Sequence, residues 1–214
     1  MREDRLMLQF KIQKCTITSM LFFLILLISS CSCQGPDDWE VRHNAYQPPQ
    51  RVMDSIGVKP GMVVAEIGAG RGRYVVHMAQ RVGMNGKIYA NDIDSDKLDY
   101  LNQRCRRDNI KNVETILGRV TDPCLPPGKI DLVYIINTYH HLEDPIGLLK
   151  NLKHGLKEDG RVAIIEHDPE KLPDGGSHST DKEVLIAHAK ESGLSLIKMQ
   201  NFLERDTIYI FKFK

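Results

Sequence analysis

The sequence predicts an α/β domain of the doubly wound type: a seven-stranded, mostly parallel sheet covered by helices on both faces and finished by a C-terminal antiparallel hairpin strand. Three observations carry this. From about residue 48 onward, strand-like apolar runs alternate with segments of helical period. The runs are nearly continuous in apolar residues, as strands covered on both faces are. The chain then closes on LSLIKMQNFL and TIYIFKF, two strand-like runs joined by the short polar turn ERD, which reads as a hairpin.

The elements follow in order. PPQRVMDSIG sets Pro48 and Pro49 at a helix start, Val52, Met53 and Ile56 on one face, and Gly57 just past the end. MVVAEI is the first strand. Val75, Met78, Ala79 and Val82 then recur at i, i+3, i+4 and i+7, the stripe of a helix. KIYAND is the second strand, and Leu98, Leu101 and Cys105 mark the helix after it. VETIL and IDLVYII are the third and fourth strands. Asp144 followed by Pro145 starts a helix whose inner face is Leu149, Leu152 and Leu156. RVAIIE is the fifth strand, and TDKE at Thr180 to Glu183 has the form of a capping box opening a helix that ends near Gly193.

Composition bounds the functional classes. With 29 Lys+Arg against 28 Asp+Glu, a net charge of +1 and 42% hydrophobic residues, the chain reads as one ordinary domain with a small appendage. No basic excess points to nucleic acid. The five cysteines, Cys15, Cys31, Cys33, Cys105 and Cys124, show no metal-ligand spacing and no disulfide framework, and no metal site is expected. Cys105 and Cys124 read as small core or loop residues.

The appendage occupies residues 1–30. Lys11 and Lys14 precede the apolar run MLFFLILLI, which is short for a membrane span, and ISSC follows it. This resembles a bacterial lipoprotein signal peptide, with Cys31 as the lipid-bearing first residue of the mature chain; translation from Met7 gives the more typical signal. The alternative is an uncleaved membrane anchor. Residues 31–47 read as a tether, and residues 48–214 as the domain.

The chemistry is concentrated in VVAEIGAGRGRYVV, which joins the first strand to the first helix of the alternation. Its glycines, Gly68, Gly70 and Gly72, are spaced G-x-G-x-G; a dinucleotide fingerprint needs its third glycine where Arg73 stands, and normally lacks an acid such as Glu66 two residues before the first. A carboxylate at the strand tip suits a cofactor with a cationic end, and S-adenosylmethionine carries both an ammonium and a sulfonium. Asp92, at the tip of the second strand, is placed to accept hydrogen bonds from the two ribose hydroxyls. Together these features select the methyl donor over NAD.

On these residues the chain resembles class I S-adenosylmethionine-dependent methyltransferases, of the small-molecule type found in quinone biosynthesis. VKPGMVVAEIGAGRGRY resembles the first motif of that Rossmann-like family, KIYANDID the second, KIDLVYIINTYHHLEDP the region of the fourth strand, and LKHGLKEDGRVAII the fifth. The resemblance implies S-adenosylmethionine as cofactor, bound by Glu66, Gly68, Ala69, Gly70, Gly72, Asp92, Ile93, Val120 and Asn137. Where the family often has an acid for the adenine amine, this chain has Arg119, which moves that contact to Val120 or Thr121. The resemblance also implies an unidentified small or lipid-like methyl acceptor facing the end of the fourth strand, where Asn137, Tyr139, His140 and His141 lie. His140 or His141 is the candidate base for an acceptor that must lose a proton, and Glu166, His167 and Asp168 are candidates for the acceptor pocket. The polar stretch EKLPDGGSHSTDKE suits a lid or a surface loop. Two other readings remain: a membrane-anchored, non-catalytic binding module on the same fold, and an NAD-dependent oxidoreductase. For location the sequence gives an extracytoplasmic lipoprotein, or alternatively a domain anchored at the cytoplasmic face.

Overall fold

The computed structural model describes residues 38–172 and 176–214. The proposed signal peptide, Cys31 and most of the tether lie outside the described residues. The chain divides into two units, Met1–Trp39 and Glu40–Lys214, and the architecture below is that of the second. Among the described residues, no helix is long and apolar enough to cross a membrane.

The elements are α1 (Asp38–Tyr46), α2 (Pro49–Ile56), β1 (Val63–Ile67), α3 (Arg73–Val82), β2 (Lys87–Asp92), α4 (Ser95–Arg107), β3 (Val113–Leu117), β4 (Ile130–Ile136), α5 (Pro145–Gly155), β5 (Leu156–His167), α6 (Lys182–Glu191), β6 (Leu194–Gln200) and β7 (Asp206–Phe213), with short 3₁₀ turns at Tyr139–His141 and Pro169–Lys171. The seven strands are ordered β3-β2-β1-β4-β5-β7-β6. Pairing is parallel from β3 through β5, and β7 runs antiparallel to both β5 and β6. The strand order reverses between β1 and β4, so a crevice opens beyond their carboxyl ends. The Rossmann-like reading of the sequence is the observed topology.

Both sheet faces are packed. Val52, Met53 and Ile56 of α2, Val75 and Met78 of α3, and Leu101 and Cys105 of α4 share one core with Tyr134 and Ala163. Leu148, Leu149 and Leu152 of α5 and Leu185 and Ala189 of α6 cover the other face against Ile67, Val133 and Ile164. Gly57 closes α2 in the left-handed region at φ 75, where glycine carries no Cβ penalty. Asp144 caps α5 by accepting the Gly147 N–H at 2.8 Å.

Three local details differ from the sequence reading. The described part of the 31–47 segment contains the helix α1, because Glu40 finds a partner: its carboxylate takes a two-pronged ion pair from Arg104 of α4 at 2.6 and 2.9 Å. The N-cap of α6 is Asp181 rather than Thr180, and its side chain makes no capping bond, so the capping box is not formed. Leu156 ends α5 and begins β5, pairing with Ile130 ahead of a register shift, so the fifth strand starts five residues before Arg161.

Candidate functional site

The glycine loop is built by three left-handed residues, Gly68 (φ 74), Gly70 (φ 54) and Gly72 (φ 82). They do different work. A Cβ at Gly68 would collide with Thr138, and one at Gly72 with Leu101, whereas a Cβ at Gly70 would meet nothing within 4 Å. Gly68 and Gly72 therefore let the loop pack on β4's end and on α4, while Gly70 faces open space. That space is a cavity of about 410 Å³ walled by residues that include Gly68, Gly70, Asp92, Ile93, Lys97, Val120, Thr138 and His141. Asp92 sits at the β2 tip, as its strand position predicts. Its carboxylate already accepts the Gly70 N–H at 2.8 Å and the Asp94 N–H at 3.0 Å, which locks loop and acid together and leaves lone pairs toward the cavity. Ile93 and Val120, exposed at 59% and 40%, give the cavity an apolar pair at its outer end.

The other expected cofactor residues stand off this wall. Ala69 is buried in the core. Glu66 is 4% exposed, because the β1–β4 register sets Tyr134 directly opposite it. The tyrosine hydroxyl donates to its carboxylate at 2.6 Å. Burial pushes the Glu66 carboxyl up to about 8, against the lowering influence of the Tyr134 bond and the Arg73 charge. A buried acid with that titration is neutral at rest and gains charge once a cation comes near.

Asn137 belongs to a second cavity, of about 420 Å³, whose wall also contains His43, Gln47, His167, His178, Arg205 and Asp206. Asn137 itself has φ 48, a left-handed conformation that asparagine tolerates. Gln47, just beyond α1, is the centre of the wall. Its amide donates to Asp206 at 2.9 Å and to Asn137 at 3.2 Å, and its carbonyl oxygen accepts from Arg73 at 2.6 Å. Sequence reasoning missed Gln47 and Asp206. Gln47 sat in a stretch read as tether, and Asp206 in the hairpin turn, with no local pattern to mark either.

Imidazoles gather between the two cavities. The rings of His140 and His141 lie with centroids 4.0 Å apart, tilted by 53°, and that of His178 lies 5.9 and 6.0 Å from them. The Nδ1 of His140 meets the buried Glu166 carboxylate at 2.6 Å. His167 has its own acid, Asp206, at 2.7 Å, and that bond holds its imidazole above the ordinary range. Of the three residues expected at the strand-five tip, His167 lines the second of these two cavities, and Glu166 and Asp168 line neither. Glu166 backs His140, and Asp168 caps the following turn and accepts from Thr207. Cys105 is buried and Cys124 exposed, both as free thiols.

Residues 58–210 match a family described as a methyltransferase domain. The chain is 25% identical over 123 residues to a demethylmenaquinone methyltransferase of Lactococcus lactis, a match covering 58% of this chain and 49% of that one. The curated relatives it matches are longer proteins, of which it spans 30% to 52%. Among solved structures, a SAM-dependent methyltransferase from Aquifex aeolicus superposes with a TM-score of 0.73 at 24% identity, over 77% of this chain and 88% of that one. The geranyl diphosphate C-methyltransferase of Streptomyces coelicolor, solved with Mg²⁺, geranyl diphosphate and S-adenosyl-L-homocysteine, superposes with a TM-score of 0.64 at 14% identity, over 80% and 79%. These two likenesses are of fold.

Proposed function

The chain belongs to the methyltransferase domain family, and from that premise we propose that it transfers the methyl group of S-adenosylmethionine to a small or lipid-like acceptor. The observation that carries the reading is the cavity under Gly70: an empty Cβ direction, a fixed carboxylate and an apolar pair, all at the point where strand order reverses. These residues fit the donor. Asp92 has acceptor capacity for the ribose hydroxyls, Ile93 and Val120 would hold the adenine, and the chargeable Glu66, two residues before Gly68, would answer the cationic end. When bound, the donor supplies a methyl carbon on a positively charged sulfur.

What remains for the protein is alignment and exclusion of water, since methyl transfer is an in-line displacement. Gln47 and Asn137 tie α1 and the end of β4 to Asp206 of β7, which fixes the wall of the second cavity where an acceptor would sit. For an acceptor that must lose a proton, the imidazoles of His140 and His141 stand between the cavities as the receiving groups.

The test is calorimetric binding of S-adenosylmethionine. Charge-assisted hydrogen bonds contribute roughly 1.5 to 3 kcal/mol each, so Asp92→Ala is expected to weaken binding about ten- to a hundredfold. Unchanged affinity in a folded variant removes Asp92 from the site, and no binding by the wild-type chain removes the reading.

From the sequence alone we also propose that residues 1–30 are a lipoprotein-type signal and that Cys31 carries the lipid, which tethers the domain to a membrane on the extracytoplasmic side. A lipoprotein anchor with several acyl chains holds firmly where one chain does not. Cys31→Ala is expected to abolish lipid labelling. Wild-type protein shielded from added protease in intact cells would instead indicate an anchor at the cytoplasmic face.

A further inference from the structure

We propose that His140, His141 and His178 form a binding site for a divalent transition-metal ion of the zinc type, at the junction of the two cavities. Each histidine offers one ring nitrogen, and these nitrogens lie within 4.8 Å of one another. Zinc–nitrogen bonds of about 2.0–2.1 Å in a tetrahedron set the nitrogens roughly 3.3 Å apart. Closing the site therefore takes side-chain movements of about an ångström, and His141 and His178 are exposed and have room for them.

A further feature is that of a metal site: the outer carboxylate. Glu166 is 1% exposed, holds the Nδ1 of His140 at 2.6 Å, and among the described residues has no hydrogen-bond partner on its second oxygen. A carboxylate on the far nitrogen of a ligating histidine fixes its tautomer, aims Nε2 at the ion and raises its basicity. Three nitrogen ligands without a carboxylate among them favour zinc or cobalt over magnesium or calcium, which take oxygen. Three protein ligands also leave the fourth position open, as catalytic zinc sites do.

The open position has a use that rests on the methyl-transfer reading, although the site itself does not. His141 lines the donor cavity and His178 the neighbouring one. An acceptor hydroxyl bound to the ion would release its proton to solvent at neutral pH. Its oxygen lone pair would then form the bond to the methyl carbon as the carbon–sulfur bond breaks and its electrons stay on sulfur. With the ion in place, His140 and His141 are ligands, and no protein base is required.

Cobalt(II) titration of the full, metal-stripped chain tests this without reference to turnover. One Co²⁺ per chain is expected, with the visible absorption of a tetrahedral, nitrogen-ligated ion, competed by Zn²⁺. His178→Ala and His141→Ala should each weaken it at least tenfold, and Glu166→Gln about tenfold. His178 and His141 are exposed, so their replacement leaves the core intact. Three results overturn the site: no uptake at millimolar Co²⁺, an affinity unchanged in the His141→Ala/His178→Ala double variant, or a thiolate charge-transfer band showing the ion on cysteine. S-adenosylmethionine calorimetry on the same stripped protein reports on the donor site separately, so either reading can fail alone.

Discussion

Replacing Gly70 by valine is expected to abolish S-adenosylmethionine binding, a loss of at least a hundredfold, in a chain that still folds. At φ 54 the Cβ direction of Gly70 meets no atom within 4 Å, and the space it would enter is the cavity assigned to the donor. A branched side chain there fills ligand volume and is also strained at positive φ. The two effects separate in a graded series. Gly70→Ala keeps the smaller side chain and should lose binding with only a modest fall in melting temperature. Gly72→Ala and Gly68→Ala place a Cβ against Leu101 and Thr138 instead, so they should lower stability first, with binding lost in step. Calorimetry and thermal melts on the same three variants read both quantities. Normal binding by a folded Gly70→Val protein would show that the loop does not face the donor.

That contrast also shows how far the sequence could be read. The glycine spacing, Glu66 and Asp92 are local features, and local chemistry fixes where they go: two strand tips and the turn between them. The strands and helices were legible for the same reason, since an apolar stripe such as Val75, Met78, Ala79 and Val82 reports its own burial. Division of labour among the glycines was not legible, because whether a Cβ meets Leu101 or empty space depends on α4, far along the chain. The burial of Glu66 was hidden for a similar reason. Nothing in VVAEIG states that Tyr134 will stand opposite, and only the β1–β4 register decides it. The second cavity was least legible, being assembled from Gln47 before α2, Asn137 after β4, His178 before α6 and Asp206 in the hairpin. Apart from Asn137, which the fourth-strand motif already marked, each of these is an unremarkable polar residue in its own segment. Glu40 shows the same limit at the domain boundary, since a polar stretch reads as a tether until Arg104 supplies a partly buried ion-pair partner.

The burial of Glu66 leads to the second large effect, a donor affinity that rises with pH. In the free protein this carboxyl titrates at about 8, raised chiefly by burial, so it is protonated at pH 6 and half ionised near pH 8. If Glu66 is ionised beside the cationic end of the bound donor, binding below pH 8 expels a proton. The apparent dissociation constant then falls by about 50-fold from pH 6 to pH 8 through linkage. The sign for stability is opposite. Because the folded pKa lies above the unfolded value of 4.5, the folded state binds more protons in that interval. The free protein therefore loses stability as pH rises from about 4.5 to 8, at up to roughly 1.4 kcal/mol per unit, and donor binding reverses part of the loss. The Tyr134 hydroxyl bonded to Glu66 lies outside the window, since burial raises it well above its usual range. Glu66→Gln is the necessary control, because it isolates the part of the slope that belongs to this carboxyl. Calorimetry at pH 6, 7 and 8, in pairs of buffers with different ionisation enthalpies, should find nearly one proton released at pH 6 and about half at pH 8. Glu66→Gln should bind more weakly at pH 8 and lose most of the slope. A wild-type affinity flat across this range, or an equal slope in the Glu66→Gln protein, would mean that the buried carboxyl does not answer the donor's charge.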